Sequence, residues 1–153
     1  RPSVRLPRQE PLASSYVCRK MNPVPELPRS VHVRTDADDF LVQARAVVIG
    51  ADVLVYIWGG EKPHIGAVAA AQPRPSLADP AKTSATASVL TYPGHKEDEI
   101  VKPVAEALSA ACNTNVVVTA GIHWDNLGAS AINTIRTRIG EITEKLIAQL
   151  QTE

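Results

Sequence analysis

The sequence predicts an α+β fold in which a mostly antiparallel β-sheet is covered on one face by two helices. Three observations carry this. Between residues 30 and 92 apolar side chains recur at every second position, the period of a half-buried strand. From residue 98 the period becomes three to four in two segments, with a short β-branched run between them. The strands come first and the helices last, which favours helices gathered on one face of a sheet over alternating βαβ units.

Val31, Val33 and Thr35 alternate with His32 and Arg34, and "DADD" at 36–39 turns the chain into "FLVQARAVVIG", giving a first hairpin. "GAD" at 50–52 turns it again, and "VLVYIWGG" is a buried central strand that ends at Gly59 and Gly60. After "EKPH", the small apolar run "IGAVAAA" reads as a fourth strand, with a helical turn as its rival. "QPRPSLADPAK" is proline-rich and reads as a surface loop, and "TSATASVLTY" alternates as the next strand.

Ile100, Val101, Val104, Leu108, Ala111 and Cys112 share a helical face, and Glu97, Asp98 and Glu99 suit the positive end of that helix. Pro103 leaves two starts open: a helix from about residue 102 with the proline in its first turn, or one from Asp98 bent by it. "NTNVVVTAGIHW" is a turn and a strand stopping at Gly121. Ile132, Ile135, Ile139, Ile142, Leu146 and Leu150 then form a stripe on a final long helix, slightly weakened at Gly140. A sheet with one covered face leaves the other needing a partner, and a homodimer is the expectation.

At 153 residues the chain suits one domain with its own core. Residues 1–29 read as a basic, proline-rich leader and residues 30–153 as the α+β domain. The 16 basic and 16 acidic side chains argue against a nucleic-acid footprint or a polybasic membrane surface. Because Arg1, Arg5, Arg8, Arg19 and Lys20 face only Glu10 among the first twenty residues, the rest of the chain is mildly acidic. Cys18 and Cys112 form neither a disulfide framework nor a metal-spacing motif, and no apolar run approaches the about 18 residues that span a bilayer. A cytoplasmic protein is expected.

Of four histidines, His32 alternates outward on an early strand and reads as a surface residue. The other three stand beside glycines at predicted strand ends: His64 in "GGEKPHIG", His95 in "YPGHKED" and His123 in "AGIHWDN". Glycines permit close backbone approach, and strand ends are where a sheet presents its binding loops. One chemistry for such a set is a metal site, with imidazole nitrogens from His64, His95 and His123 and a carboxylate from Asp98 or Asp125. Another is an anion site, where the helix opening after Gly94 offers free N–H groups and Lys96 adds a positive charge. Glu97 and Asp98 oppose an anion unless they hold a bridging cation, and a merely capped helix also accounts for Gly94 and Asp98. Ser84 or Ser88 paired with a histidine lacks the Gly-x-Ser-x-Gly elbow, so a hydrolase, metal-dependent or otherwise, ranks third. Trp58, Tyr92 and Trp124 each flank one of these corners, either lining a slot for a flat heterocycle or anchoring a dimer interface.

Together "YIWGGEKPHIGAVAAA", "TSATASVLTYPGHKEDEI" and "NVVVTAGIHWDN" resemble bacterial relatives of the proteasome assembly chaperones, the prenylated-flavin chaperone, LpdD-like domains. The resemblance covers roughly residues 30 to 150. It implies a small, non-catalytic, dimeric carrier that holds prenylated FMN, made by a flavin prenyltransferase, and passes it to a UbiD-type decarboxylase. Carried onto this chain, it puts the cofactor near Gly60, His64, Gly66, Ser88, Tyr92, Gly94, His95, Lys96, Gly121, His123, Trp124 and Asn126. A bridging cation, if bound, would sit among His95, Glu97, Asp98, His123 and Asp125. The alternative is a protein-interaction module without cofactor, docking through the sheet edge and the last helix.

Overall fold

The computed structural model describes residues 28–36 and 39–152. Its elements are β1 (Ser30–Arg34), β2 (Val42–Ile49), β3 (Asp52–Gly60), β4 (Ala67–Pro75), β5 (Thr83–Thr91), α1 (Asp98–Cys112), β6 (Val116–His123) and α2 (Ala129–Gln151). The expected leader lies outside the described residues as far as residue 27, with Cys18 and Met21 in it. Arg29, grouped with the leader by composition, belongs to the fold. Its carbonyl accepts from the Val48 N–H at 2.9 Å, and its guanidinium donates to the carbonyls of Gln149 and Thr152 at 2.6 Å. The last turn of α2 contains no basic residue, so Arg29 supplies the cation that the negative end of this helix favours.

The six strands form one sheet in the order β1-β2-β3-β6-β4-β5. Four of the neighbouring pairs are antiparallel and one, β3 with β6, is parallel. The fold is therefore the expected α+β arrangement with a mostly antiparallel sheet. Both helices cover the same face, α1 over β4, β5 and β6, and α2 over β1 and β2. Val55, Val118, Ala69, Val101, Leu108, Ile142 and Leu146 make up the centre of the core. Ala67, Ala69 and Ala71 of β4 are buried, and their small side chains let α1 lie close to the sheet.

In two places the structure departs from the sequence reading, and in a third it chooses between two alternatives. The fourth strand does not stop at Ala71 but continues through Gln72–Pro75, inside the segment expected to be a loop. There β4 pairs only with β5, because its register with β6 ends at Ala71 and Val116, and prolines are tolerated on such an open edge. The sixth strand passes Gly121 and ends at His123, with Gly121 paired to Trp58 and His123 to Gly60. The first helix starts at Asp98 with Pro103 inside it, which decides between the two starts considered. It closes on Asn113 in the left-handed conformation, with the Asn113 N–H donating to the Ser109 carbonyl and the Ser109 hydroxyl to the Thr114 carbonyl.

The uncovered face carries Leu54, Tyr56 and Trp58 from β3 and Val117 and Thr119 from β6, alternating with the buried positions. Trp58 stacks on His32 with ring centroids 5.6 Å apart and on Tyr56 at 5.4 Å. His32 is thus part of an aromatic row on this face.

Candidate functional site

Topology decides which strand ends meet. Because β3 and β6 are parallel, both end at one rim of the sheet, and antiparallel β4 starts at that same rim between β6 and β5, where β5 ends. The loops that follow β3, β5 and β6 carry or adjoin His64, His95 and His123, which the chain separates by dozens of residues.

The three imidazoles come together at this rim. His64 Nε2 lies 2.9 Å from His95 Nδ1, and the His64 and His123 rings meet edge to face with centroids 6.2 Å apart. Beneath them sits the Glu97 carboxylate, with Oε1 3.1 Å from His64 Nε2 and Oε2 3.6 Å from His95 Nδ1. Glu97 is 7% exposed, although it occupies the N-cap position of α1. Its side chain makes no capping hydrogen bond; it turns inward, accepting the Lys96 N–H at 3.0 Å and the Ile122 N–H at 3.4 Å.

Two glycines make this geometry possible. Gly66 is buried, and the Glu97 carboxylate takes the volume that a side chain at 66 would fill. At Gly121 a Cβ would collide with the His64 carbonyl, so the loop carrying His64 can cross β6 only over a residue without a side chain. That loop is further tied by the Gly66 N–H donating to the Ala120 carbonyl at 2.8 Å and the Tyr92 N–H to the Gly66 carbonyl at 2.9 Å.

His64 Nδ1 faces the Lys62 carbonyl at 3.0 Å, and since a carbonyl only accepts, this nitrogen carries a proton. His123 pairs with Asp125 at 2.9 Å, and Lys62 donates to the other oxygen of Asp125 at 2.7 Å. The hydrogen bond from Lys62, and after it that from His123, hold the Asp125 carboxyl below the usual carboxylate range. The same hydrogen bond to Asp125 raises the Lys62 ammonium above its ordinary value. Lys62 was not among the residues singled out from sequence, and nothing in "EKPH" marks it except its position two residues before His64.

A groove of about 370 Å³ opens beside the cluster, between the start of α1 and the start of α2. Gly94, His95, Lys96, Glu97 and His123 line its polar side, and Ile100, Ile122, Leu127, Ile132 and Ile135 its apolar side, with the Arg136–Glu99 ion pair at one margin. The apolar residues from α2 read in the sequence only as a helix stripe. A larger groove of about 490 Å³ runs between α1 and α2 but contains no histidine.

The remaining candidates fall around this centre or away from it. Gly60 ends β3 opposite His123, and Tyr92 and Gly94 lie in the exposed turn before α1. Trp124 packs against the core, edge-on to Phe40 at 5.3 Å. Trp58 lies on the uncovered face, as does exposed Ser88, paired with Ala70. Asn126 is exposed beyond β6 with φ 60°, and Asp98 is exposed as the first residue of α1. Of the carboxylates considered for a cation, Glu97 reaches the paired imidazoles of His64 and His95, whereas Asp98 and Asp125 stand outside that cluster.

Residues 36–151 match the family described as prenylated flavin chaperone LpdD-like domain, and the chain belongs to that family of chaperones. Among individual proteins it is similar to Protein LpdD of Lactiplantibacillus plantarum, with 26% identity over 126 residues covering 76% of this chain and 82% of that protein. A chain from the crystal structure of a chaperone complex for yeast 20S proteasome assembly superposes with a TM-score of 0.49 at 14% identity, covering 82% of this chain and 97% of that one. No described helix is long and apolar enough to cross a membrane.

Proposed function

We propose that this chain is a non-catalytic carrier of prenylated FMN that delivers the cofactor to a UbiD-type decarboxylase. The observation that carries the reading is the groove itself. One wall is apolar and suits a ring system, while the other presents the start of α1, Lys96 and the imidazoles of His95 and His123. Backbone N–H groups at a helix start together with an ammonium suit a phosphate. The Glu97 carboxylate is buried and turned beneath His64 and His95. Family membership supports the same ligand. Handing over a reactive cofactor needs a site that binds without reacting, and a half-open groove at a sheet rim lets a partner approach it.

Anaerobic co-expression with a flavin prenyltransferase, followed by an absorption spectrum and mass measurement of the retained ligand, tests the proposal. Retention by the wild type and its loss in His95→Ala and His123→Ala, with the fold intact, is the expected result. A colourless wild type, or unchanged retention in both variants, overturns it.

The aromatic row of His32, Trp58 and Tyr56, with exposed Val117 beside it, favours a second role for the uncovered sheet face as the contact of a homodimer.

A further inference from the structure

His64, His95 and Glu97 pose a problem of hydrogen-bond arithmetic. With the His64 Nδ1 proton directed at the Lys62 carbonyl, Nε2 of a neutral ring presents a lone pair, and the Glu97 Oε1 facing it at 3.1 Å presents another. A proton, on the ring or on the carboxyl, or a cation relieves that contact. The spacing suits a cation. Separations of 2.9, 3.1 and 3.6 Å among His64 Nε2, His95 Nδ1 and the two carboxylate oxygens bracket the about 3.3 Å edge of a tetrahedron whose ligands stand about 2.0 Å from zinc.

The supporting contacts are those that metal ligands use. The ring nitrogen of His64 remote from the cluster is fixed by a backbone carbonyl, and the Glu97 oxygens by two backbone N–H groups. The carboxylate is buried, His64 is a quarter exposed and His95 a third exposed, so the cluster is closed beneath and open toward the groove.

We propose that His64 Nε2, His95 Nδ1 and the Glu97 carboxylate hold one divalent ion of the zinc type, with a remaining position open to an oxygen of whatever occupies the groove. Two imidazoles and one carboxylate with an open position are the donor set of reactive zinc sites; here the open position serves to hold an anionic oxygen beside Lys96. Only this last clause rests on the flavin reading. The three-ligand site stands without it.

The test uses the full chain, stripped with chelator and titrated with Zn(II), and with Co(II), whose visible bands report ligand geometry. One ion per chain is expected, with affinity at least about tenfold weaker in Glu97→Gln and in His64→Gln, and unchanged in Glu106→Gln on the exposed side of α1. Melting curves identify any variant that fails to fold, and His95→Gln, at a more exposed position, then provides the affinity comparison. Absence of stoichiometric uptake by the wild type, or wild-type affinity in the folded ligand variants, overturns the site. Flavin retention is measured separately on stripped and loaded protein. Metal uptake without flavin retention keeps this site and removes the carrier reading, while flavin retention without metal uptake does the reverse.

Discussion

The carboxylate of Glu97 and the backbone of Gly66 occupy one another's space: a Cβ at position 66 would stand 2.5 Å from Glu97 Oε2. The two residues immediately precede β4 and α1 and are joined by no hydrogen bond. Gly66→Ala should therefore displace the carboxylate from beneath the imidazoles while leaving the β4 ladder in place. We expect it to reduce flavin retention and metal uptake together, with a stability loss of about 1–3 kcal/mol, typical of overpacking. Titration of both ligands alongside a denaturant melt checks this; full ligand binding in Gly66→Ala would show that Glu97 is dispensable.

Gly121→Ala tests the crossing of the His64 loop over β6. Its Cβ meets a backbone carbonyl, which cannot turn away as a flexible side chain does. The loop must lift or the strand must part, so Gly121→Ala is expected to be less stable than Gly66→Ala. Comparing the two denaturation midpoints decides it.

Leu108 and Ile142 are fully buried where α1 and α2 meet the sheet. Truncating either to alanine should cost about 2–5 kcal/mol through lost transfer energy and the cavity left behind. The same change at exposed Leu77 should be nearly silent in chemical denaturation.

Lys145 donates to Asp36 at 2.7 Å and to the Arg34 carbonyl at 3.0 Å, tying the end of β1 to α2. The hydrogen bond and charge of Lys145 hold the Asp36 carboxyl below its ordinary value. A carboxyl lowered on folding stabilises at pH values above its unfolded pKa, and that contribution disappears as pH falls through the folded one. Asp36→Asn should accordingly melt slightly below the wild type at neutral pH, with the gap closing in acid. A gap independent of pH would show that the ion pair is not its source.

Burial raises the Cys112 thiol above its ordinary value, which lowers its thiolate fraction at neutral pH. In a Cys18→Ser background, labelling of Cys112 by a disulfide reagent should be slow, rise toward alkaline pH and accelerate on unfolding. Fast labelling of the native protein would contradict the packing around the end of α1.

For the homodimer, Tyr56→Glu and Val117→Glu should shift sedimentation toward the monomer without lowering helix content. An unchanged sedimentation coefficient would remove the uncovered face from consideration.

Much of this architecture is written in side-chain periodicity, because burying one face of a strand or helix imposes a local rule. Val31 and Val33 show it at period two, and the isoleucines from Ile135 to Ile142 at period three to four. What the pattern omits is neighbourhood. Nothing in Val53 or Val116 announces that they stand side by side in parallel, since the crossover through α1 sets that pairing. The Gln72–Pro75 extension is hidden for a related reason: its prolines are harmless only because β6 begins opposite Ala71 and leaves that edge open. At the rim, His64, His95 and His123 were conspicuous for their glycine neighbours. Glu97 was not, because an acid at a helix start has an adequate electrostatic reason to be there. Its burial depends on Gly66, thirty-one positions earlier, and no local reading connects the two.

The parallel pairing of β3 and β6 also determines which end of the molecule can be handled without harm. The Gly50 hairpin, the Asn113 turn and the contact of Arg29 with the end of α2 all lie at the opposite rim, a strand's length of roughly 25 Å from the imidazoles. A fluorophore or surface tether placed at exposed Ala51, beside Gly50 whose positive φ disfavours any side chain, would leave the imidazole rim facing solution, and the proposed hand-over could be followed by its colour without touching the histidine loops.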